Sequence, residues 1–244
     1  MADLGTMKQD LYRALHLDSG ATGTVAEADV TKAIIEAIRF NKNQKFWTNE
    51  RSSTLVTTSG QFRYPLPADY LGLASDVFYM PSDDETYRAP LRQRTVDWCE
   101  EMKVRGDSWD TAINSGNPDF FSIDESTHEI LLVPIPYQDG DKIDFKYITD
   151  MGVPSFKYVS NAWTFYQPQS TVALTDAFTN GWFTEYYELT FNRAAYLLLS
   201  TVYGGTEEAA VKANEHVKLW MEQLNKLRSD TAKRSSASTV RRWL

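Results

Sequence analysis

The sequence has few of the residues from which covalent and metal-binding sites are built. It contains one cysteine, Cys99, and three histidines among 244 residues. A single cysteine excludes an intrachain disulfide and a zinc site made of several thiolates. Cys99 follows Trp98 on the apolar side of a predicted helix, which favours a small core residue over a nucleophile. The histidines, His16, His128 and His216, lie in separate predicted elements without a second ligand at metal spacing.

Patterns that mark phosphate-binding, secreted and membrane proteins are also missing. There is no glycine-rich phosphate loop. The first residues, MADLGTMKQD, lack the basic-then-apolar pattern of a signal peptide. The longest apolar run, AAYLLLSTVY, is much shorter than the roughly 20 residues that a membrane helix needs. These absences predict a protein that folds in a reducing cytoplasm, with no catalytic residues, no metal and no cofactor.

Charge is distributed unevenly along the chain. The formal net charge is −8, but residues 226–244 hold six Lys and Arg against one Asp, which is +5. The other 225 residues therefore carry −13. An acidic body argues against a strong grip on duplex DNA, because phosphate contacts require Lys and Arg. The basic end of the chain suits an acidic partner or nucleic acid.

Apolar periodicity predicts helices at both ends of the chain and strands between them. Helices are expected at 6–17, 25–41, 95–104, 184–203 and 206–228. Strands are expected at 53–59, 61–67, 73–79, 86–92, 119–123, 129–133 and 142–149. Ser59-Gly60 and Asp139-Gly140 predict hairpin turns between their flanking strands. Residues 150–182 are predicted to be irregular, with one strand at STVAL, residues 170–174.

These elements predict an α+β fold. The helices of residues 1–50 and 183–228 are expected to form an antiparallel bundle, because amphipathic helices at the two ends bury each other's apolar faces. A β-rich module of residues 51–182 is inserted between them. Residues 229–244 are expected to form an extended basic tail. Its sequence fits either a disordered terminus without a role or a peptide that orders on a partner.

Two short motifs carry a resemblance to a known family. The first is FWTNE, in which Phe46, Trp47, Asn49 and Glu50 match an aromatic-rich FWFNE-like pattern. The second is a T…G…Y.LP.D pattern, matched by Thr58, Gly60, Tyr64, Leu66, Pro67 and Asp69. Together with the order of elements over residues 5–228, they resemble the head-to-tail adaptor proteins of short-tailed phages, also called connector or gatekeeper proteins. Thr48 stands where that pattern has a second aromatic residue.

The resemblance implies a structural virion protein and not an enzyme. Such adaptors form a dodecameric ring under the portal vertex, assembled in the cytoplasm of the host bacterium, through which DNA passes without sequence-specific binding. The bundle forms the ring wall, and the β-rich module receives the tail nozzle protein and, in some phages, tail fibres. The C-terminal extension docks on the portal protein. Here it would present Lys233, Arg234, Arg241, Arg242, Trp243 and Leu244.

The start of the β-rich module is predicted to be a rigid joint between bundle and sheet. Phe46 and Trp47 follow the second helix directly, and Pro65 and Pro67 bracket Leu66 and limit how far its strand pairs. The expected helix–sheet joint therefore consists of Phe46, Trp47, Asn49, Glu50, Tyr64, Leu66 and Pro67.

Two other functions remain open from the residues alone. The aromatic clusters WTFYQP and NGWFTEYY suit a carbohydrate-binding or fibre-like tail module, although a core and a subunit interface are favoured because Trp and Tyr anchor both. The acidic stretch SDDE, residues 82–85, suits carboxylate chemistry in a hydrolase. Its position between two predicted strands favours a solvated turn instead.

Overall fold

The chain consists of two compact units. The computed structural model describes residues 2–15, 25–44, 46–84, 86–109, 115–201 and 207–240. One unit, here the helical unit, comprises Met1–Trp47 and Asp150–Leu244, and the other, the sheet unit, comprises Thr48–Thr149. The chain therefore passes between the units at Trp47–Thr48 and again at Thr149–Asp150. The predicted α+β class is confirmed by this mixture of helix and sheet.

The helices lie close to the positions that periodicity predicted. They are α1 (Leu4–Ala14), α2 (Glu27–Lys42), α3 (Val96–Trp109), α4 (Gly181–Thr184), α5 (Tyr187–Thr201) and α6 (Glu207–Val240). A short 3-10 helix covers Trp47–Asn49. Helix α1 begins after Asp3, whose carboxylate accepts a hydrogen bond from the backbone N–H of Thr6 at 2.7 Å.

One apolar core holds the helical unit together. Helices α1, α2, α4, α5 and α6 all contribute buried side chains to it. The largest of these are fully buried: Trp182, Phe46, Phe183, Met7, Leu11, Ile34 and Ile38. Burying each such side chain contributes roughly 1.5–3 kcal/mol. The terminal helices of the chain thus share a core, while the predicted antiparallel arrangement of the bundle stays a prediction.

Helix α6 corrects the prediction of an extended tail. Residues 229–240 continue α6 as helix, where an extended segment from 229 was expected. The predicted end at 228 rested on the Ser-, Thr-, Ala- and base-rich composition of the residues that follow. Ala232, Lys233, Arg234 and Ala237 are good helix formers. Thr231 also contacts a residue outside α6, since its hydroxyl accepts a hydrogen bond from the Trp47 backbone N–H at 3.5 Å. Residues 241–244 lie outside the described residues.

The sheet unit contains two main sheets. Its strands are β1 (Glu50–Val56), β2 (Arg63–Pro65), β3 (Tyr70–Leu73), β4 (Phe78–Met80), β5 (Ala89–Pro90), β6 (Arg92–Gln93), β7 (Ser115–Gly116), β8 (Phe120–Asp124), β9 (Glu129–Val133), β10 (Ile135–Pro136) and β11 (Lys142–Thr149). One sheet has the order β1-β11-β4-β5, with β3 also on β11, and the other has the order β2-β9-β8-β6. Strands β7 and β10 form a separate parallel pair.

Both predicted hairpins are wrong in their strand pairing. Gly60 (φ 76°) and Gly140 (φ 91°) do turn the chain, and both have the positive φ that glycine permits. However, β1 pairs along its whole length with β11, whereas β2 pairs with β9. Strands β9 and β11 likewise lie in different sheets. A turn motif determines where the chain reverses direction but not which strands pair with each other. Here each turn connects strands of two different sheets.

The interior of the sheet unit is apolar and includes the cysteine. Tyr79, Ile130 and Ile143 are among its fully buried residues. Cys99 on α3 is also fully buried, in a cluster with Phe62, Leu131 and Val133. Helix α3 therefore covers the sheet that contains β9, which is the packing that the apolar face around Cys99 predicted.

Residues 150–182 are more regular than expected. Strands β12 (Ser155–Val159) and β13 (Ala162–Tyr166) form an antiparallel hairpin with positive φ at Ser160 and Asn161, a turn that matches the twist of paired strands. The expected strand at 170–174 is reduced to one bridge, between Ala173 and Tyr166. This region belongs to the helical unit, so the expected β-rich module of residues 51–182 extends past the sheet unit, which ends at Thr149.

Candidate assembly surfaces

The described residues contain no group of three or more His, Cys, Asp and Glu side chains placed to hold a metal ion. None of the described helices has the length and apolar character needed to cross a membrane. Burial raises the pKa of the Cys99 thiol to about 11, so the reactive thiolate is disfavoured at neutral pH. His128 lies with its Nε2 2.8 Å from the Pro67 carbonyl, and His16 lies outside the described residues.

The acidic stretch at 82–85 forms a local turn. The Asp84 carboxylate accepts hydrogen bonds from the backbone N–H and hydroxyl of Thr86, at 3.0 and 2.6 Å. These bonds hold the pKa of Asp84 below its usual value. The Ser82 N–H donates to Asp141 at 2.8 Å, and Glu85 lies outside the described residues. Asp84 therefore closes its own loop, as Asp commonly does in turns.

The two aromatic clusters have different environments. In NGWFTEYY, Trp182 and Phe183 are fully buried, and the Trp182 indole N–H donates to the Asp150 carbonyl at 2.9 Å. This cluster is core. In WTFYQP, the Trp163 ring packs 4.9 Å from the Tyr158 ring and beneath the Lys32 ammonium, 4.3 Å away. Tyr158 is exposed, so the hairpin presents part of its aromatic surface to solvent.

The predicted joint residues are distributed over two cores. Phe46 is 1% exposed and lies in the core of the helical unit, where its ring is 5.6 Å from that of Tyr186. The backbone N–H of Trp47 donates to the Thr231 hydroxyl at 3.5 Å. Asn49 is fully buried, and Glu50 begins β1.

The remaining joint residues stabilise the second sheet. The Tyr64 hydroxyl lies 3.0 Å from both the Thr58 and the Gln61 carbonyl oxygen, either of which accepts its proton, and it accepts from the Thr58 N–H at 3.1 Å, so it closes the turn around Gly60. Leu66 is buried in the same core as Tyr64. The Pro67 carbonyl accepts from the backbone N–H of Tyr70 at 2.9 Å. That all seven residues act as one joint stays a prediction.

The predicted portal-docking residues lie at and beyond the end of α6. Lys233 is exposed and 3.7 Å from Asp230, one turn earlier. Arg234 lies in α6. Arg241, Arg242, Trp243 and Leu244 lie outside the described residues.

A surface on the helical unit that the sequence did not predict is built around Arg193. Its guanidinium lies 4.6 Å from the centroids of Phe40 and Trp220 and 5.2 Å from that of Tyr196. We call these four residues the cationic patch. Burial lowers the pKa of Arg193, although a guanidinium stays protonated at neutral pH. Its buried Nε has no hydrogen-bond partner, and no described carboxylate forms an ion pair with it.

Two residues of the cationic patch are themselves held in place. The Trp220 indole N–H donates to the buried Asn41 carbonyl oxygen at 3.1 Å. Phe40 packs edge-on against the Trp220 ring at 5.5 Å, yet 45% of Phe40 is exposed. These residues come from α2, α5 and α6, so no local spacing in the sequence links them. Knowing how the three helices pack was required to find the patch.

A second surface is a groove between α1, α5 and α6, here the acidic groove. It has a volume of about 630 Å³ and is lined by Asp10, Arg13, Ala14, Tyr187, Glu188, Phe191, Asn192, His216 and Leu219. Hydrogen bonds between its polar side chains hold them in place. Tyr187 donates to Asp10 at 2.6 Å, and burial and this carboxylate raise the pKa of Tyr187. His216 Nδ1 lies 2.9 Å from the Asn192 Oδ1, and burial lowers the pKa of His216.

Glu188 is the exposed acid of this groove. Its carboxylate accepts from the Gln223 amide at 3.1 Å and forms no ion pair with any described cation. Phe191 and Leu219 provide apolar surface beside it, and Leu219 is 47% exposed. With His216 uncharged, Asp10 and Glu188 outnumber Arg13, so the groove is negative. The groove and the cationic patch are therefore opposite in charge, and both are partly apolar.

Comparison with known proteins places the chain in a family. The model of the SU10 adaptor protein family matches residues 3–242, which cover both units and include the FWTNE motif and the motif around Gly60. A search of the curated proteins found no match. The resemblance to phage head-to-tail adaptors is thereby confirmed, and the chain belongs to the SU10 adaptor protein family.

Proposed function

We propose that the protein forms a homo-oligomeric ring that joins the portal vertex of the phage head to the tail nozzle. The ring would enclose part of the DNA conduit. The observation that carries this proposal is the family match over residues 3–242. Membership of this family makes the chain a structural phage adaptor of the virion neck, which meets portal and tail components. Twelve copies per ring follow from the resemblance to short-tailed phage adaptors.

The charge of the chain supports the conduit. A duplex must slide through the ring, and strong phosphate contacts would slow it. Residues 1–225 carry −13, so most of each copy repels phosphate. DNA is therefore expected to pass without sequence-specific binding.

Exposed apolar residues support a partner contact on the sheet unit. On the sheet unit, Val56, Tyr87 and Tyr137 are each more than half exposed. Aromatic side chains of this kind commonly anchor protein interfaces. We assign the contact with the tail nozzle protein to the sheet unit on this ground, and any tail fibre would bind the same unit.

The C-terminal end supports docking on the portal protein. Lys233 is exposed, and three arginines follow it in the sequence, Arg234, Arg241 and Arg242, with Trp243 and Leu244 after them. A basic end on an acidic body suits an acidic surface on the partner. Even a weak contact gives strong binding when many copies engage a symmetric partner.

Trp47 has a separate proposed role at the joint. It is the last residue of the helical unit before the chain enters the sheet unit. An adaptor whose two units meet different partners needs them held in a fixed orientation. We propose that Trp47, together with the other joint residues, maintains that orientation.

Deleting residues 233–244 tests the portal contact. The deletion removes four cations but keeps Thr231, whose hydroxyl accepts a hydrogen bond from the Trp47 backbone N–H. The truncated protein is expected to unfold at the wild-type urea concentration and to lose binding to purified portal protein. A matched control changes Lys218 and Lys226, exposed on the same helix, to Gln. Wild-type portal binding by the truncated protein, measured by co-sedimentation at several salt concentrations, would contradict the docking role.

A further inference from the structure

We infer that neighbouring copies in the ring meet through the cationic patch of one copy and the acidic groove of the next, with Arg193 facing Glu188. This inference rests on the proposed ring and adds the contact that would build it. It names a surface pair within one unit, so it requires no particular arrangement of the two units.

Arg193 is the strongest reason to expect a partner at the patch. Its charge is half-buried among three aromatic rings, its Nε is buried without a hydrogen-bond partner, and no described carboxylate pairs with it. A half-buried guanidinium without a carboxylate beside it is costly, because its charge has lost part of its hydration. The enclosed Nε is out of reach of another molecule, but a carboxylate of the next copy would pair with the two terminal nitrogens, since the guanidinium fork matches a carboxylate in two parallel hydrogen bonds.

Glu188 provides that carboxylate in the groove. It is exposed, accepts one hydrogen bond from Gln223, and forms no ion pair with any described cation. Phe191 and Leu219 flank it with apolar surface that Phe40 of the next copy would cover. The groove volume of about 630 Å³ lies within the range of roughly 300–1,000 Å³ that holds drug-sized ligands. It is therefore large enough to take an aromatic ring together with a guanidinium.

The positions of the two surfaces on α5 suit a ring. Glu188 in the groove and Arg193 in the patch are five residues apart on α5, which separates them by roughly 140° around the helix. One copy therefore presents the patch and the groove in two different directions. A ring requires such a contact between two different surfaces of successive copies. A symmetric dimer through the patches would instead bring two Arg193 side chains together.

The composition of the patch favours a protein partner over DNA. Phosphate would satisfy Arg193 but would leave the exposed face of Phe40 against solvent or the sugar backbone. Arg, Trp and Tyr are the residue types most enriched among energetically dominant interface residues. The chain itself is rich in carboxylates, with 33 Asp and Glu against 25 Lys and Arg, so a second copy supplies the required charge.

Charge exchange tests the contact. Arg193→Glu alone and Glu188→Arg alone place like charges opposite each other in every contact between identical copies. Each variant is expected to assemble at least about tenfold more weakly than wild type, because facing like charges cost several kcal/mol. The double variant R193E/E188R and a 1:1 mixture of the two single variants restore opposite charges, so both are expected to assemble again. Assembly is measured by mass photometry and negative-stain microscopy, with and without portal protein.

The control exchanges two outward-facing charges elsewhere on the same unit. Lys218 and Glu222 are exposed on α6 and belong to neither the cationic patch nor the acidic groove. The control variants are Lys218→Glu and Glu222→Arg. These variants, singly and together, are expected to assemble as wild type. Thermal unfolding of every variant checks the fold. If R193E fails to fold, Phe40→Glu replaces it as the patch variant. Phe40→Glu and Glu188→Arg are then each expected to weaken assembly on their own.

The possible results distinguish a wrong contact from a wrong ring. Single variants that assemble like wild type, or folded variants that are not rescued by charge exchange, overturn the contact and leave the ring standing. Single variants that assemble normally but bind DNA more weakly show that Arg193 faces the conduit, which also overturns it. Wild-type protein that stays monomeric with and without portal overturns the ring and the contact together.

Discussion

Replacing Phe46 with alanine should destabilise the helical unit, whereas the same change at Phe40 should chiefly weaken assembly. Both residues are phenylalanines at the end of α2 or just after it. Phe46 is 1% exposed and packs against Tyr186, while Phe40 is 45% exposed and sits in the cationic patch. The pair therefore separates a side chain that holds the fold from one that is available to a partner.

The expected costs follow from burial. A fully buried Phe removes roughly 150 Å² or more from water, which at about 25 cal/mol per Å² is about 4 kcal/mol. This agrees with the roughly 3–5 kcal/mol measured for Phe→Ala in protein cores. A domain is stable by only about 5–15 kcal/mol, so Phe46→Ala removes a large part of the total. Phe40 buries about half as much, and its loss should cost roughly 1–2 kcal/mol.

Urea unfolding followed by tryptophan fluorescence and circular dichroism measures both variants. Trp182 and Trp220 are buried in the helical core and report on it. With a urea dependence of roughly 2 kcal/mol per M, Phe46→Ala should lower the midpoint by about 2 M, and Phe40→Ala by about 0.5–1 M. Assembly of Phe40→Ala should nevertheless fall below that of wild type under conditions where it is fully folded. Equal midpoints for Phe46→Ala and wild type would refute the placement of Phe46 in this core.

Two further perturbations test the sheet unit and the joint. Arg63 pairs with Asp124 and Glu129. Hydrogen bonds from Ser126 and then Arg63 hold the pKa of Asp124 below its usual value, and the bond from Arg63 is the main cause of the lowered pKa of Glu129. The stability that these ion pairs add is present above the unfolded carboxyl pKa of about 4 and is lost as pH falls through the folded pKa values. Arg63→Met should therefore flatten the loss of thermal stability between pH 5 and 2. An unchanged dependence of thermal stability on acid pH would contradict this. Trp47→Ala should strongly reduce the yield of complete particles and lower the unfolding midpoint only slightly. A normal particle yield would count against the proposed joint.

The sequence predicted helices better than it predicted which strands meet. Helix α2 was expected at 25–41 and is found at Glu27–Lys42, because one apolar face repeated at helical spacing is a local property. Strand pairing is not local. The turn at Gly60 is real, but β1 finds its partner about 90 residues later in β11, where seven residues pair in register. Nothing in the two residues of the turn encodes that choice.

The tail and the assembly surfaces show a second limit. Residues 229–240 are rich in Ser and Thr and were expected to be extended, yet they continue α6 as helix. The cationic patch combines Phe40, Arg193 and Trp220 from three helices, and the proposal built on it depends on Arg193 having no ion pair with a carboxylate among the described residues. Such an absence is visible in a folded structure and cannot be read from spacing along a chain.

Electron cryomicroscopy of the neck of the intact particle tests the central claim most directly. The account predicts a closed ring of this protein between the portal and the tail nozzle, with the DNA path through its centre. In that ring, the patch around Arg193 of each copy should lie against the groove around Glu188 of the next. A neck without this chain, or this chain located at another part of the virion, would contradict the account.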